Sequence, residues 1–264
     1  MSKGSGAQLL PAALQPLTER PQSSALLLDF DGTLSLIVED PTAARPLPEV
    51  PDLLVGLAER FGLVAVISGR PVAFLNEVLR QPRGVRLVGL YGLEWIGSDG
   101  ERAVLPEAEP WEAVVSEVTR VAAEQAPAGV YVEPKGLTVT LHWRHAPEHR
   151  PWVERFVEGQ VTERGLVPHG SKYSLELGPP LQVDKGTVAT SLVKGMTAAA
   201  AFGDDFGDLP VFRALGQLSG VSVARVAVAH GESPREVAAE ADVVVGSAAE
   251  AVRLLQSMLT AASS

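Results

Sequence analysis

The sequence predicts an α/β fold, a parallel sheet between layers of helices, that is interrupted by a smaller α+β domain. The first observation is that apolar segments typical of buried strands alternate with helical segments before residue 105. The strand segments are 25–29, 63–67 and 86–90, and the helical segments between them are 50–60 and 71–80. This alternation implies right-handed βαβ crossovers, as in a Rossmann-like parallel sheet.

The second observation is that the same alternation returns near the end of the chain. A helical segment from Asp184 to Lys194 precedes further strand segments and a final Ala-rich helix at about 247–261. These strand segments are 197–202, 223–228 and 243–245.

The third observation is a change of pattern between the two halves. The predicted order there is helix, two strands, helix, two strands, at 111–125, 130–135, 136–143, 148–164, 166–170 and 173–177. We therefore predict an inserted α+β cap (αββαββ) at 106–178, with the core formed by 1–105 and 179–264. The segment 9–20 is predicted either as a short helix on the core or as disordered.

The composition narrows the classes of function. The chain has 264 residues, 46% of them hydrophobic and 20% charged, which is typical of a globular protein. It has no cysteine, so thiolate catalysis, cysteine zinc sites and disulfides are excluded. A net charge of −10 argues against nucleic-acid binding. We find no apolar run long enough to span a membrane and no secretory h-region at the start, and we expect a cytoplasmic protein.

Two carboxylates stand where the first apolar strand ends. Asp29 and Asp31 are one residue apart and are followed by Gly32 and Thr33. Open α/β sheets bind ligands beyond the carboxyl ends of their strands. Mg²⁺ is usually held there by one or two carboxylates, with substrate phosphate completing its shell. The alternative is a solvated turn, because Asp and Gly are ordinary turn residues.

Three later segments carry polar residues at similar places. Ser68 follows the strand segment 63–67, Lys185 begins a helical segment, and Asp204 follows the strand segment 197–202. Each alone has a structural explanation, as a turn hydroxyl, a solvated lysine or a carboxylate near a helix start. Their common position at strand ends and helix starts favours a phosphate-handling metal site.

Taken in order, these segments resemble the four motifs of haloacid-dehalogenase-type phosphatases. The matching residues are DFDGT at 29–33, Ser68, Lys185, and GDD…D at 203–208. The resemblance implies that Asp29 attacks phosphorus and forms an aspartyl-phosphate. It implies that Asp31 protonates the departing alkoxide and later activates water.

The resemblance also implies a set of binding residues. Mg²⁺ is expected on the Asp29 carboxylate, the Asp31 main-chain carbonyl and Asp204, where it neutralises charge on the phosphoryl group. Asp205 and Asp208 are expected to orient bound water. Ser68 and Lys185 are expected to hold phosphoryl oxygens. We also expect the substrate to contact three further residues, which are Thr33, Gly69 and Arg70.

The predicted cap has a polar strand face. In residues 137–144, strict alternation puts Leu137, Val139, Leu141 and Trp143 on one face, and Thr138, Thr140, His142 and Arg144 on the other. A solvated sheet face is the alternative to a sugar-binding one. The residues Glu133, Lys135 and Glu176 resemble the cap pattern of trehalose-6-phosphate phosphatases, in which they bind sugar hydroxyls. His142 and Arg144 are added to this substrate set.

Two departures from that family leave the sugar open. Tyr91 stands where the family has histidine in an HGLE segment, and Gly207 and Leu209 replace a threonine and a glutamate. The leading expectation is hydrolysis of trehalose 6-phosphate, in a pathway that includes a trehalose-6-phosphate synthase. The alternatives are sucrose 6-phosphate, a glucosyl- or mannosyl-3-phosphoglycerate, or a non-catalytic sugar-phosphate binder.

Overall fold

The computed structural model describes residues 10–38, 40–170, 173–231 and 233–263. The chain divides into two compact units: the first runs to Arg102 and resumes at Asp184, and the second is Ala103–Val183. The insertion predicted at 106–178 lies within the second unit. Residue 9 of the predicted N-terminal segment, and Ser171 and Lys172 of the predicted cap, lie outside the described residues.

The strands are numbered in chain order. They are β1 Ser24–Leu28, β2 Leu63–Ile67, β3 Arg86–Gly89, β4 Glu94–Ile96, β5 Arg102–Val104, β6 Tyr131–Pro134, β7 Val139–His142, β8 Val167–Gly170, β9 Ser174–Gly178, β10 Ala198–Gly203, β11 Ser222–Val228 and β12 Val243–Val245.

The helices are numbered in the same way. They are α1 Gln15–Glu19, α2 Val50–Ala58, α3 Val72–Val78, α4 Glu112–Gln125, α5 Arg150–Arg164, α6 Lys185–Leu192, α7 Leu209–Gly216, α8 Arg235–Ala239 and α9 Ala248–Ala261.

The larger sheet has the order β12-β11-β10-β1-β2-β3-β4-β5. The pairs from β12 through β3 are parallel, and β4 pairs with β3 antiparallel. This arrangement confirms the predicted α/β fold with a parallel sheet. Strands β4 and β5 were not predicted, because each has only three residues and begins with a charged one, so neither shows the continuous apolar run that β12 has.

Helices cover both faces of this sheet. Successive strand residues point to opposite faces, so Leu26 and Leu28 of β1 enter one apolar cluster while Ala25 and Leu27 enter another. The first cluster includes residues of α1, α2, α3 and α9, and the second includes residues of α6, α7 and α8. Leu14 and Leu17 are fully buried in the first cluster, which confirms the short N-terminal helix on the core.

The second unit is an antiparallel sheet of order β6-β7-β9-β8 with helices α4 and α5. Val139, Leu141 and Trp143 are buried in its apolar cluster, together with residues of both helices. This confirms the apolar face predicted for 137–143. Among the described residues, no helix combines the length and apolar character that crossing a membrane requires.

Candidate active site

The first unit gathers polar residues at the carboxyl ends of three neighbouring parallel strands. Asp29 follows β1, Ser68 follows β2 and Asp204 follows β10. The strand register aligns Leu28 with Phe202 on one side and with Val66 on the other. The backbone N–H of Asp29 donates to the Phe202 carbonyl at 3.0 Å, which extends the ladder to the edge of the sheet. The site therefore forms where parallel strands end together.

Lys185 joins this edge from the start of α6. Its Nζ donates to Asp29 Oδ1 at 2.5 Å and to Asp208 Oδ1 at 2.7 Å, and its side chain is almost completely buried. Burial alone would lower the pKa of Lys185, but the carboxylates of Asp208 and Asp29 raise it well above its usual value. The lysine therefore stays an ammonium ion at neutral pH. Asp184 fixes the helix start by accepting the Thr187 N–H at 2.7 Å.

Three carboxyl groups converge beside Lys185. Asp29, Asp204 and Asp208 are all buried, and one oxygen of each lies within 4.8 Å of the others. Burial raises the pKa of Asp29 well above its usual range despite Lys185. Burial, and next the charge of Asp29, raise the pKa of Asp204 to about 10. The single positive charge of Lys185 is therefore too little to keep all three carboxyl groups ionised at once.

This donor set fits a divalent cation. Hard cations such as Mg²⁺ take carboxylate oxygens, and a cation would relieve the repulsion among these groups. The cluster contains Asp29 and Asp204, two of the three ligands predicted from sequence, and adds Asp208. The third predicted ligand, the Asp31 carbonyl, belongs to the turn that follows β1.

Asp208 and Asp205 also hold their own loop. Asp208 Oδ2 accepts the backbone N–H of Asp204 at 2.9 Å and of Asp205 at 3.3 Å. Asp205 Oδ1 accepts the Gly207 N–H at 2.8 Å. A Cβ at Gly203 would lie 2.3 Å from the Asp208 Cγ, so only glycine leaves room there. These bonds fix the backbone that carries Asp204.

Gly32, like Gly203, is a position at which a side chain would collide with an aspartate of the cluster. Its φ of +77° lies in the left-handed region, and a Cβ there would lie 2.3 Å from Asp204 Oδ2. Glycine therefore lets the turn after β1 approach the Asp204 carboxylate. The adjacent Thr33 is fully buried, and its Oγ1 has no hydrogen-bond partner in the structure.

Asp31 has a different partner from the acidic residues around it. Its carboxylate forms a two-point pair with Arg70, Nε to Oδ2 and Nη2 to Oδ1, both at 2.8 Å. The Ser68 Oγ accepts the Arg70 N–H at 3.1 Å. Gly69 lies against Tyr91, whose hydroxyl would be 2.5 Å from a Cβ at that position. Pro71 precedes α3 rather than beginning it, so the helix starts at Val72, one residue later than predicted.

Sequence reasoning missed His230. It follows β11, the strand next to β10, and its Nε2 lies 2.8 Å from Asp204 Oδ2. Its place at the carboxyl end of a predicted parallel strand was the available signal. Glu94, the last residue of the HGLE-like segment that begins at Tyr91, was also not predicted to have a role; it is buried and accepts the Val72 N–H at 2.8 Å, at the start of α3.

The second unit contains its own polar network on the sheet face opposite its apolar cluster. Glu176 Oε2 accepts from Lys135 Nζ at 2.8 Å and from Thr140 Oγ1 at 2.9 Å. Glu133 Oε2 lies 2.8 Å from His142 Nε2 and 3.9 Å from Lys135 Nζ. Strand register puts Thr140 opposite both glutamates. Arg144, another predicted substrate residue of this unit, is not one of the residues of this network. Its guanidinium carbon lies 4.7 Å from the centre of the Tyr173 ring.

A parallel sheet with an acidic site at its carboxyl edge is the arrangement expected from the resemblance to haloacid-dehalogenase-type phosphatases. A solved haloacid dehalogenase-like hydrolase from Bacteroides thetaiotaomicron shares the fold, with a TM-score of 0.60 at 19% identity over 88% of this chain and 98% of that one. Within that class, the family model for trehalose-phosphatase matches residues 27–244. The chain belongs to the trehalose-phosphatase family.

Individual relatives agree with this assignment. A probable trehalose-phosphate phosphatase of Sinorhizobium fredii is 32% identical over 206 residues, covering 75% of this chain and 76% of the relative. A trehalose-phosphate phosphatase of Mycobacterium avium is 31% identical over 81% of this chain, which spans 59% of that relative's length. A solved trehalose-6-phosphate phosphatase of Aspergillus fumigatus has a TM-score of 0.65 at 26% identity, covering 94% of this chain and 97% of that one.

Proposed function

We propose that this protein is a Mg²⁺-dependent phosphatase that hydrolyses trehalose 6-phosphate to trehalose and phosphate. The observation that carries the proposal is Lys185 bridging Asp29 and Asp208 beside Asp204, in a chain of the trehalose-phosphatase family. A phosphate monoester needs its charge neutralised and a nucleophile held in line with the bond that breaks. The cluster offers both functions within one buried site.

Asp29 is the proposed nucleophile. One of its carboxylate oxygens forms a bond to phosphorus as the bond from phosphorus to the sugar oxygen breaks, which leaves an aspartyl-phosphate. The bond from Lys185 Nζ to Asp29 Oδ1 limits rotation of the carboxylate, and burial on β1 fixes its backbone. Lys185 also supplies a fixed positive charge where a phosphoryl group would bind.

Asp31 is the proposed acid and base. It donates a proton to the departing sugar oxygen, which is a poor leaving group without one. The resulting carboxylate then takes a proton from the water that attacks phosphorus, and phosphate leaves with Asp29 regenerated. Ser68, Thr33 and Gly69 are proposed to contact the phosphoryl group from the neighbouring turns.

Magnesium, when bound, would neutralise charge on the phosphoryl oxygens. The residues proposed to hold it are Asp29, Asp204 and the main-chain carbonyl of Asp31, with Asp208 available from the same cluster. Asp205 and Asp208 support the Asp204 backbone through their hydrogen bonds. His230 orients the Asp204 carboxylate through its 2.8 Å contact.

The network in the second unit is proposed to recognise the sugar. Glu133, Lys135 and Glu176 supply acceptors and donors of the kind that sugar hydroxyls require, and Thr140 and His142 hold the two glutamates. Arg144, on the same predicted face, completes the proposed substrate set. The substrate itself would be supplied by a trehalose-6-phosphate synthase in the same pathway.

The first experiment is phosphate release from a panel of substrates. Trehalose 6-phosphate is compared with sucrose 6-phosphate, glucose 6-phosphate and glucosyl-3-phosphoglycerate, each with Mg²⁺ or EDTA. Asp29→Asn serves as the blank, and Asp52→Asn, at the exposed first turn of α2, is the matched control. A strong Mg²⁺-dependent preference for trehalose 6-phosphate supports the proposal. Preference for another ester would retain the mechanism and overturn the sugar assignment, and no turnover would favour a binding protein.

A further inference from the structure

Arg70 holds the Asp31 carboxylate in a bidentate pair. Both bonds are 2.8 Å long, and they match the two nitrogens of one guanidinium edge to the two carboxylate oxygens. Arg70 lies 39 residues from Asp31 in the chain, on the turn between β2 and α3. Such two-point pairing fixes direction as well as distance, which a lysine could not do.

The chain anchors the Arg70 side chain on its other sides. Its Nη1 donates to the Pro41 carbonyl at 2.6 Å, and its guanidinium carbon lies 4.9 Å from the centre of the Phe74 ring. The Arg70 backbone N–H donates to Ser68 Oγ at 3.1 Å. The side chain is 13% exposed, whereas that of Asp31 is 31% exposed. The arginine is therefore the fixed member of the pair.

These contacts favour positioning of Asp31 over phosphate binding as the role of Arg70. Its Nε and Nη2 donate to the Asp31 carboxylate, and its Nη1 donates to the Pro41 carbonyl. An arginine built to clamp phosphate would direct its two-point edge at the ligand. Here that edge meets the carboxylate that the proposed mechanism uses as acid and base.

We propose that Arg70 is a positioning residue that aims the Asp31 side chain at the leaving oxygen. This inference rests on the proposed function, because it assigns Arg70 to the proton-transfer part of that reaction. It differs from the substrate-binding role that the sequence alone predicts for Arg70. An acid that is misplaced by about 1 Å loses much of its effect, so the fixed arginine matters through the place at which it holds Asp31.

The test compares esters that do and do not need a proton on the leaving group. Trehalose leaves as an alkoxide and needs the acid, whereas p-nitrophenolate leaves from p-nitrophenyl phosphate without one. The quantity compared is kcat/KM, because it reports the steps through departure of the alcohol and not the later hydrolysis of the aspartyl-phosphate. The variants are Arg70→Met, Asp31→Asn and the two combined.

We expect Arg70→Met to lower kcat/KM for trehalose 6-phosphate about 100-fold and to change kcat/KM for p-nitrophenyl phosphate less than about threefold. With p-nitrophenyl phosphate, kcat and KM should fall together and a burst of p-nitrophenol should appear, because Asp31 then activates water poorly. In the Asp31→Asn background, the Arg70 substitution should add almost no loss, since Arg70 acts through Asp31.

The matched control is Arg225→Met. Arg225 makes the same two-point pair, Nε and Nη2 to Asp242 at 2.9 and 2.8 Å, and it belongs to neither proposed set of reacting or binding residues. It should leave both kcat/KM values unchanged. If thermal melting shows that Arg70→Met is not folded, Arg70→Lys is used in its place. This variant keeps the positive charge but cannot form the bidentate pair. Its loss should then be about tenfold and again confined to the alkyl ester.

Two results would overturn the proposal. Equal losses of kcat/KM on both esters would mean that Arg70 acts on the phosphoryl group, and a further loss in the Asp31→Asn background would mean that it acts independently of Asp31. Failure of the proposed function is recognised separately, in the wild-type protein. If the wild type prefers another alkyl phosphate of the panel, that ester replaces trehalose 6-phosphate in the same comparison. If it hydrolyses none, the proposed role of Arg70 falls as well.

Discussion

The two polar groups of this molecule differ in how their charges are balanced. The acidic cluster of the first unit, Asp29, Asp204, Asp208 and Lys185, sets three carboxyl groups around one ammonium ion. The sugar network of the second unit consists of Glu133, Lys135, Thr140, His142 and Glu176, and each of its glutamates contacts a lysine and a second hydrogen-bonding side chain. The first group has three carboxyl groups for one ammonium ion. The second has two for one lysine, and one acceptor, the buried Glu176 Oε1, has no hydrogen-bond partner among the residues that the structure describes.

This difference corresponds to two kinds of ligand. Buried carboxylates with raised pKa values favour a cation, because burial and mutual repulsion destabilise their charged forms. A network of hydrogen-bonding side chains with an open acceptor at Glu176 Oε1 suits a neutral, hydroxyl-rich ligand, whose hydroxyl groups can donate to it. We therefore propose that the acidic cluster carries out catalysis and that the sugar network selects the sugar.

The largest effect is expected at the nucleophile. Asp29→Asn should lower turnover of every phosphate ester by more than roughly 10⁴-fold, because an amide cannot form the aspartyl-phosphate. Phosphate release and a thermal melt are measured on the same preparation. A folded variant with more than a few percent of wild-type turnover would remove Asp29 from its assigned role.

The next largest effect is expected at Asp204, a predicted metal ligand in the acidic cluster. Asp204→Asn should remove the thermal stabilisation that Mg²⁺ gives the wild type, an amount of about 2–3 kcal/mol at a hundredfold excess over Kd. The metal-free variant should melt at the same temperature as the wild type or higher at neutral pH, since the raised pKa of Asp204 means that folding must protonate or desolvate this carboxyl group at a cost in stability.

Melting curves with and without Mg²⁺ measure both quantities, with Asp52→Asn as the control. An undiminished Mg²⁺ shift in Asp204→Asn would contradict the ligand assignment. A large drop in the melting temperature of the metal-free variant would contradict the charge argument.

A smaller and more selective effect is expected in the sugar network. Glu176→Gln keeps the size of the side chain but weakens its bonds from Lys135 and Thr140. Loss of a charge-assisted hydrogen bond costs about 1.5–3 kcal/mol, so kcat/KM for trehalose 6-phosphate should fall roughly 10- to 100-fold. The kcat/KM for p-nitrophenyl phosphate should stay nearly constant.

The matched control for this variant is Glu154→Gln on α5. Glu154 pairs with Arg150 at an exposed surface of the same unit and should affect neither ester. If Glu176→Gln lowers kcat/KM equally for both esters, the sugar network does not select the sugar.

The smallest effect is expected at a surface pair outside both groups. The guanidinium of Arg225 lowers the pKa of Asp242 below its usual value, so the pair stabilises the fold above the unfolded pKa near 4. Asp242→Asn should lower the melting temperature by about 1–2 °C at pH 7, because such pairs contribute on the order of 0.5 kcal/mol. The difference should vanish as the pH falls through the lowered pKa. A deficit that persists at pH 2.5 would mean that packing, not charge, is lost.

The sequence predicted the parts of this molecule that follow from local pattern. Apolar segments such as Leu63–Ile67 show the parallel strands directly, and the carboxyl-end rule then brings Asp29 and Asp204 to one edge. Strict alternation in 137–143 likewise predicts that Val139, Leu141 and Trp143 enter the apolar cluster, although Thr140 on the opposite face is also buried.

Other features depend on contacts that no local pattern shows. The pairing of Arg70 with Asp31 joins residues 39 positions apart, and His230 reaches Asp204 from a loop 26 positions away. The carboxylate of Asp208 was predicted to orient water, yet it also bonds Lys185 and the backbone of its own loop. Such side-chain directions are decided by packing of the whole unit, so only the folded structure reveals them.

The most direct test of the account is to trap the covalent intermediate. Asp31→Asn should slow hydrolysis of the aspartyl-phosphate, so phosphate-labelled p-nitrophenyl phosphate, which needs no leaving-group proton, is mixed with this variant in Mg²⁺ and quenched in acid within milliseconds to seconds. The account predicts a label near one phosphate per chain, located by peptide mapping on Asp29 and absent from Asp29→Asn. A fully active wild type whose Asp31→Asn variant carries no label, or carries it on another residue, would contradict it.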